Sequence, residues 1–156
     1  MIRLNVPGVG EINLEHVVFD VNGTLAVDGK LLPGIPDLHQ ELKKHLNIHL
    51  LTADTHGKQL EIDQQLNLEA VRVQAGDEKG QKLAYIHRLG TKKTAAVGQG
   101  ANDALMLEAA QIGICVISAE GTALQTLLKA DLVVPDIKSA LEILQNPTRL
   151  KASLRK

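Results

Sequence analysis

Short apolar segments alternate with segments of helical periodicity along most of this 156-residue chain. The predicted strands cover residues 17–19, 48–51, 70–73, 94–97, 114–117 and 132–134. The predicted helices cover residues 33–46, 58–66, 79–89, 103–110, 122–129 and 137–144. Because strands that alternate with helices pair in parallel βαβ units, this order predicts an α/β fold. We expect a three-layer, Rossmann-like sandwich around a central parallel sheet.

The two ends of the chain depart from this alternation. Two apolar segments, residues 2–6 and 11–14, flank a turn sequence with one proline and two glycines, which predicts a leading β-hairpin within residues 1–15. Residues 1–146 are expected to form a single domain. The last residues, 147–156, are rich in lysine and arginine and are expected to form a loose basic tail.

The composition excludes several classes of function. With a formal net charge of −1, one phenylalanine, one tyrosine and no tryptophan, the chain lacks both the charge and the stacking platforms of nucleic-acid-binding proteins. No apolar run is long enough to span a bilayer and no signal peptide is evident, which argues against a membrane protein. Cys115 is the one cysteine in the sequence, so we expect no internal disulfide and a cytoplasmic, reducing environment.

Polar residues follow the apolar segment of residues 17–19, where a parallel strand would reach the edge at which α/β sheets bind ligands. Asp20 is costly to bury at this point unless its charge is used. Aspartate can act as a nucleophile and form an aspartyl-phosphate intermediate. Gly23 allows a tight turn whose backbone N–H groups point inward, as in anion-binding sites. The segment therefore predicts phosphoryl transfer through Asp20.

Three further segments supply partners for such a reaction. Thr52 and the backbone N–H of Ala53, at the next strand end, suit a phosphate oxygen. Lys79 or Lys82, early in a later predicted helix, would supply a positive charge. The glycine-rich loop of residues 98–103 carries amide and carboxylate oxygens, the ligand types that suit Mg²⁺. A nucleophile, a phosphate-binding group, a cation and a hard metal site together indicate phosphoryl transfer.

Four ordered motifs resemble those of the haloacid dehalogenase (HAD) superfamily, and within it the phosphorylation domain of P-type ATPases. Residues 20–25, Asp-Val-Asn-Gly-Thr-Leu, resemble the pumps' Asp-Lys-Thr-Gly-Thr-Leu. Residues 51–55, Leu-Thr-Ala-Asp-Thr, resemble their Leu-Thr-Gly-Asp-Asn, and residues 97–104, Val-Gly-Gln-Gly-Ala-Asn-Asp-Ala, resemble Val-Gly-Asp-Gly-x-Asn-Asp-Ala. Lys82 is followed by apolar residues at the spacing seen after the family's lysine, which favours it over Lys79. The resemblance covers nearly the whole chain.

The resemblance implies a role for each matching residue. Asp20 would be the nucleophile and a Mg²⁺ ligand, and the backbone carbonyl of Asn22 would be a second ligand. Thr52 would hold the transferring phosphoryl group, and Lys82 would neutralise the charge on the nucleophile and the phosphate. Asp103 would lie in the metal's coordination shell, directly or through water.

Two positions depart from the superfamily pattern, and each replaces an acid with an amide. Asn22 stands where HAD phosphatases carry a second aspartate as general acid and base, and an amide cannot trade a proton. Because general acid–base catalysis contributes roughly 10²- to 10⁴-fold in rate, hydrolysis without it is expected to be slow. Gln99 stands where a metal-binding aspartate is usual, so its amide oxygen would bind Mg²⁺ with one negative charge fewer.

The spacing of the motifs leaves no room for a cap domain. Only residues 26–51 separate the first two motifs, enough for one turn, one helix and one strand. An uncapped site suits a bulky phosphorylated substrate or a lid from another subunit, and the leading hairpin is a candidate surface for homo-oligomer contacts. The chain has neither the pumps' nucleotide-binding domain nor membrane segments, so ion transport is not expected.

The expected function is therefore a Mg²⁺-dependent HAD-type phosphatase, slow in turnover, that acts on a phosphorylated substrate. Two alternatives stay open on the same fold: a non-catalytic phosphate-binding module, which Asn22 and Gln99 favour, and a regulatory partner that mimics the pumps' phosphorylation domain. Asp54 and His56 follow Thr52; they either line the mouth of the site or, as we expect, are solvated loop residues. The other histidines lack the spacing of metal ligands and are expected to be scattered and structural: His16, His39, His45, His49 and His87.

Overall fold

The computed structural model describes residues 1–54 and 57–156. Its strands, in chain order, are β1 (Ile2–Val6), β2 (Gly10–Leu14), β3 (His16–Asp20), β4 (Ala26–Val27), β5 (Lys30–Leu31), β6 (Asn47–Thr52), β7 (Val71–Arg72), β8 (Thr94–Gly98), β9 (Ile112–Val116) and β10 (Leu132–Val134). Its α-helices are α1 (Ile35–Lys43), α2 (Gln59–Leu66), α3 (Glu78–Leu89), α4 (Ala104–Ala109), α5 (Leu124–Lys129), α6 (Ile137–Leu144) and α7 (Pro147–Leu154). Two short 3₁₀ segments, Thr91–Lys93 and Ala101–Asp103, precede β8 and α4. Every strand and helix predicted between residues 17 and 144 is present, with ends that differ by no more than three residues.

Six strands form one parallel sheet in the order β10-β9-β8-β3-β6-β7. In the middle of the sheet, Phe19 of β3 lies beside Val97 of β8 on one side and beside Leu50 of β6 on the other. The chain moves outward from β3 through β6 and β7, then returns to β8 and moves outward the other way. This order makes the junction of β3 and β8 a topological switch point, the place where such sheets bind ligands at the carboxyl ends of their strands. The predicted α/β fold with a central parallel sheet is confirmed.

Helices cover both faces of this sheet. On one face, Val17 and Phe19 belong to a core shared with the β1–β2 hairpin and with α1, α2, α6 and α7. On the other face, Val18 packs with Ile86 of α3 and Leu107 of α4. All five side chains are fully buried. Successive residues of β3 point to opposite faces of the sheet, and helices cover both faces. Burial of a side chain of this size stabilises the fold by about 1.5–3 kcal/mol.

The two ends of the chain pack on the same face. The β1–β2 hairpin forms as predicted, but the expectation of a loose tail after residue 146 is wrong, because Pro147–Leu154 form the helix α7. Asn146 is the N-cap of α7 and accepts a hydrogen bond from the backbone N–H of Arg149. Leu150 is fully buried in the core, while the lysines and arginines of this segment are exposed. One buried leucine and a polar cap therefore order a segment whose basic composition suggested a solvated end.

No cap domain covers the carboxyl edge of the sheet within residues 1–54 and 57–156. Between β3 and β6 the chain forms only the paired strands β4 and β5 and the helix α1. The sequence predicts the turn between β4 and β5 but not their pairing; Asp28 and Gly29 there have φ angles of 51° and 77°, as in the type I′ turns of hairpins. In the same described part of the chain, no helix is both long enough and apolar enough to cross a membrane.

Candidate active site

Asp20 ends β3 at the centre of the sheet's carboxyl edge. The residue is 6% exposed. Its Oδ2 atom accepts a hydrogen bond from the hydroxyl of Thr24 at 2.9 Å, and its Oδ1 atom accepts one from the Lys82 ammonium at 2.8 Å. Burial, and after it the neighbouring Asp103 carboxylate, raise the pKa of Asp20 to about 7, although Lys82 and Thr24 act to lower it.

Lys82 brings a positive charge from α3 into the same site. Its Nζ atom donates three hydrogen bonds, to Asp103 Oδ1 at 2.7 Å, to Asp20 Oδ1 at 2.8 Å and to Asn102 Oδ1 at 3.2 Å. Burial alone would lower the pKa of Lys82, but the two carboxylates outweigh it and hold that pKa above its usual value. Of the two lysines that the sequence suggests, Lys82 is therefore the one that reaches Asp20.

Asp103 connects the glycine-rich loop to Lys82 through hydrogen bonds. While its Oδ1 atom accepts from Lys82, its Oδ2 atom accepts from the backbone N–H groups of Gln99 and Gly100, each at 3.0 Å. The side chain is fully buried. A direct contact between Asp103 and a metal ion would have to compete with these three hydrogen bonds, so its predicted place in the coordination shell stays a prediction.

Gly23 and Gln99 meet directly beneath the site. Gly23 has a φ of +79°, which favours glycine, and a Cβ at this position would displace the side-chain amide of Gln99. The Nε2 atom of Gln99 donates to the backbone carbonyl oxygen of Asn22 at 3.4 Å. The Nδ2 atom of Asn22 in turn donates to the Thr52 hydroxyl at 3.2 Å. Gln99, Asn22 and Thr52 are thus linked by two hydrogen bonds.

Thr52 ends β6, the strand beside β3, and is fully buried. Its hydroxyl also accepts a hydrogen bond from the backbone N–H of Asp54 at 2.9 Å. Asp54 is half-buried rather than solvated, because its Oδ1 atom accepts from the backbone N–H of Gln59 at the start of α2, at 3.2 Å. His56, for which the sequence predicts a solvated loop position, lies outside the described residues, as does Thr55.

An open cleft of about 380 Å³ lies at this edge of the sheet. Its lining residues are Asp20, Asn22, Ala53, Gly100, Ala101, Asn102 and Glu120. Three residues predicted for the site therefore line the cleft, namely Asp20, Asn22 and Ala53. The other predicted site residues lie beneath the cleft surface. They contact the lining residues, or one another, through the interactions described above: Gly23, Thr52, Lys82, Gln99 and Asp103.

The sequence-based prediction assigns no individual role to four polar residues of this site. Thr24 and Asn102 stand inside motifs quoted above, so the sequence carries a signal for both. Glu78 accepts a hydrogen bond from the Nδ2 atom of Asn102 at 2.7 Å. Glu120 accepts one from the backbone N–H of Asp28 at 3.2 Å. No motif marks either glutamate, because each reaches the site from an element whose position depends on the fold.

The oxygen atoms around the cleft suit a hard cation such as Mg²⁺, which prefers oxygen ligands. They come from the Asp20 carboxylate, the Asn22 backbone carbonyl and the Gln99 amide. The Gln99 amide has its nitrogen toward the Asn22 carbonyl, and rotation of this amide by 180° would place its oxygen there instead. Asp20 is the one ionisable group of the three. Among residues 1–54 and 57–156, no group of three or more His, Cys, Asp or Glu side chains is placed to hold a metal. The residues therefore fit Mg²⁺ with fewer negative charges than a site built from several carboxylates.

Two histidines come together at the opposite end of the sheet. His16 Nδ1 lies 3.1 Å from His49 Nε2, and His49 Nδ1 lies 2.9 Å from the Tyr85 hydroxyl. The expectation that these histidines are scattered is wrong for this pair, because β3 and β6 are neighbours in the sheet. Burial, and after it the charges of His16 and Arg88, lower the pKa of His49 to about 4. Since His16 begins β3 and Asp20 ends it, this cluster lies away from the cleft.

The chain has a close relative in sequence. It is 46% identical over 88 residues to the uncharacterized protein MJ0073 of Methanocaldococcus jannaschii, and the alignment covers 54% of this chain and 95% of the relative. No family model matches the chain.

Two solved structures show what the fold is similar to. The 3-deoxy-D-manno-octulosonate 8-phosphate phosphatase from Moraxella catarrhalis, in complex with magnesium ion, phosphate ion and KDO, matches 91% of this chain and 94% of its own at 15% identity and a TM-score of 0.64. A zinc-transporting PIB-type ATPase in its E2.Pi state matches 80% of this chain and 20% of its own at 25% identity, also with a TM-score of 0.64. The chain therefore belongs to the same family as MJ0073, and it has the fold of the haloacid dehalogenase hydrolases.

Proposed function

We propose that this protein is a Mg²⁺-dependent phosphohydrolase in which Asp20 is the nucleophile. The observation that carries the proposal is the buried carboxyl group of Asp20, which ends the central strand, lines the cleft and lies 2.8 Å from the Lys82 ammonium. A nucleophilic carboxylate beside a fixed cation is the arrangement that phosphoryl transfer requires. The similar octulosonate phosphatase holds magnesium and phosphate in its structure, which supports the same chemistry here.

The reaction would proceed in two displacements on phosphorus. An oxygen of Asp20 attacks the phosphorus of a phosphomonoester, the bond to the leaving oxygen breaks, and that oxygen takes a proton from water. Water then attacks the aspartyl phosphate, and Asp20 and inorganic phosphate are released. The net change is a phosphoester and water to an alcohol and phosphate. Lys82 holds the nucleophile in place and offsets the charge that builds up on the phosphoryl oxygens. Bound Mg²⁺ would supply further positive charge at those oxygens.

Asn22 limits the rate of this reaction. Its side-chain amide donates to the Thr52 hydroxyl and carries no proton that it can exchange with a leaving group or with water. The proton transfers are therefore left to solvent, which is the physical reason to expect slow turnover. A raised pKa of Asp20, to about 7, slows attack further in the absence of a cation, since only the ionised carboxylate is a nucleophile.

The contact between Asn22 and Thr52 also favours a second candidate function. A site that keeps its shape through this hydrogen bond but lacks a group for proton transfer would bind a phosphoryl group without turning it over. Such a protein would act as a phosphate-binding or regulatory module on the same fold. In both cases the ligand is phosphorylated, and the open cleft, uncapped in the described part of the chain, leaves room for a large substrate.

The test is phosphate release from a broad panel of phosphoesters with Mg²⁺, measured for the wild type and for Asp20→Asn. Asp37→Asn is the matched control, because Asp37 is an exposed aspartate in the first turn of α1. We expect release that disappears in Asp20→Asn and persists in Asp37→Asn. Equal release from the wild type and Asp20→Asn would rule out the proposed nucleophile. Mg²⁺-dependent capture of beryllofluoride, which mimics aspartyl phosphate, with no release from any ester would favour the binding module.

A further inference from the structure

The ammonium group of Lys82 has no N–H left over. A lysine ammonium has three donors, and all three are used: two by the carboxylates of Asp20 and Asp103, and the third by the side-chain oxygen of Asn102. The bond to Asn102, at 3.2 Å, is the longest of the three and the one with a neutral acceptor. Asn102, like Asp20, lines the cleft, so the third N–H is bonded to a neutral acceptor that an incoming ligand can reach.

Glu78 decides which way the amide of Asn102 points. An ionised carboxylate can only accept hydrogen bonds, and Glu78 Oε2 lies 2.7 Å from the Nδ2 atom of Asn102. The amide nitrogen must therefore face Glu78, which leaves the amide oxygen facing Lys82. With the opposite orientation, an N–H would face the ammonium and an oxygen would face the carboxylate, and both contacts would be repulsive.

The helix α3 makes this arrangement possible. Glu78 and Lys82 are four residues apart on α3, so both side chains lie on the same face of the helix. Asn102, in the 3₁₀ segment Ala101–Asp103, lies between them and contacts both. The first turn of α3 and the glycine-rich loop are thus joined by two consecutive hydrogen bonds that end at the buried lysine.

We propose that Glu78 is a positioning residue, which orients the Asn102 amide so that its oxygen holds the third N–H of Lys82 at the rim of the cleft. A phosphoryl oxygen that enters the cleft would then take over this N–H from Asn102, while the two carboxylates keep the ammonium in place. This consequence rests on the proposed function. The orientation of Asn102 itself does not, and it is observable without any ligand.

The experiment compares Glu78→Ala, Glu78→Gln and the control Glu61→Ala, which removes an exposed glutamate from the first turn of α2. Binding of beryllofluoride with Mg²⁺ is measured by fluorine NMR. We expect Glu78→Ala to bind about tenfold more weakly, as is usual when a group that orients a site residue is lost. Glu78→Gln should bind within about threefold of the wild type, because its amide oxygen still accepts from Asn102. Glu61→Ala should match the wild type.

The glutamine variant separates orientation from charge. If Glu78 acted only through its negative charge at the start of the helix, Glu78→Gln would lose as much affinity as Glu78→Ala, and that result would overturn the proposal. Equal binding by Glu78→Ala and the wild type would overturn it as well.

A second measurement needs no ligand and follows the side-chain amide signal of Asn102 by nitrogen–proton NMR. We expect the signal to shift in Glu78→Ala and to stay close to its original position in Glu78→Gln. A signal unchanged in Glu78→Ala overturns the positioning role whatever the site binds. A wild type that fails to capture beryllofluoride, by contrast, counts against the proposed function.

Discussion

The side-chain amide nitrogen of Gln99 lies 3.4 Å from the backbone carbonyl oxygen of Asn22. These are the two positions at which the resemblance to the haloacid dehalogenase superfamily leads us to expect an acid, and they lie in contact beside Gly23. The two replacements therefore act on one small volume of the site. Relative to that pattern, Asn22 lacks an exchangeable proton and Gln99 lacks a negative charge, so an acid can be introduced at each position and tested by itself.

Restoring the acid at position 22 should speed turnover. In Asn22→Asp the new carboxyl group can accept a hydrogen bond from the Thr52 hydroxyl. The contact is kept, but Thr52 becomes the donor and residue 22 the acceptor. Because a positioned acid or base contributes roughly 10²- to 10⁴-fold, we expect phosphate release to rise by about 10²-fold. Asn47→Asp, at the exposed start of β6, is the control and should leave the rate unchanged. A rate that stays at the wild-type level in Asn22→Asp would show that proton transfer does not limit the reaction.

Restoring the acid at position 99 should instead tighten metal binding. Gln99→Asp adds a second carboxyl oxygen donor beside Asp20, and affinity for hard cations rises with the number of charged ligands. We expect the dissociation constant for Mg²⁺, measured by titration calorimetry, to fall by about tenfold. Gln40→Asp, on the exposed side of α1, controls for net charge alone. An equal fall in the Mg²⁺ dissociation constant in both variants would show that the added negative charge acts at long range and not as a metal ligand.

Gly23 offers a test of the close contact with Gln99. In Gly23→Ala the new Cβ meets the Gln99 amide and the backbone keeps a φ of +79°, so the variant carries both a steric clash and strain. Gly34→Ala is a matched control, because Gly34 has a φ of +81° but no heavy atom beyond the adjacent residues lies within 4 Å of the place that a Cβ would take there. We expect both variants to lose about 1 kcal/mol of stability from strain, and only Gly23→Ala to lose capture of beryllofluoride as well. Capture that survives in Gly23→Ala would mean that the loop can shift without damage to the site.

His39 should be a source of instability that an apolar residue removes. It is fully buried in α1, and neither of its ring nitrogens has a hydrogen-bond partner in the described structure. Because an unsatisfied buried polar group costs about 1–3 kcal/mol, we expect His39→Leu to raise the free energy of unfolding in urea by a similar amount. His45→Leu, at an exposed position, should change it little. Destabilisation by His39→Leu would show that the imidazole makes a contact worth more than its burial costs.

The pair of His16 and His49 predicts a pH dependence of stability. The pKa of His49 is about 4 in the folded protein, against about 6.5 in an unfolded chain. Between these values the unfolded chain binds more protons, so the contribution of His49 to stability is present above pH 6.5 and is lost as the pH falls toward 4. Asp20, whose pKa is raised, acts in the opposite sense over part of this range, so the wild type has to be compared with His49→Gln at each pH. We expect the wild type to lose stability relative to the variant on acidification; a constant difference would contradict the assignment.

Much of the fold and of the site follows from local pattern. The alternation of strands and helices predicts the parallel sheet, and an aspartate directly after a buried strand predicts the position of Asp20. What could not be predicted depends on contacts between distant elements. The helix α7 is ordered by the burial of Leu150 against a hairpin at the other end of the chain. The meeting of His16 and His49 depends on the register of two strands, and the contact of Glu78 with Asn102 depends on how α3 docks beside the loop.

The site draws its parts from segments far apart in the chain: Lys82 and Asp20 are 62 positions apart, and Gln99 and Asn22 are 77 apart. Such a site forms only when the whole sheet is assembled, so whatever binds it stabilises the folded chain against unfolding as a whole. A ligand at 100 times its dissociation constant adds about 2.7 kcal/mol. The melting temperature therefore reports occupancy directly, and a library of metal ions and phosphorylated compounds can be ranked by heating the protein with each, before any turnover has been detected.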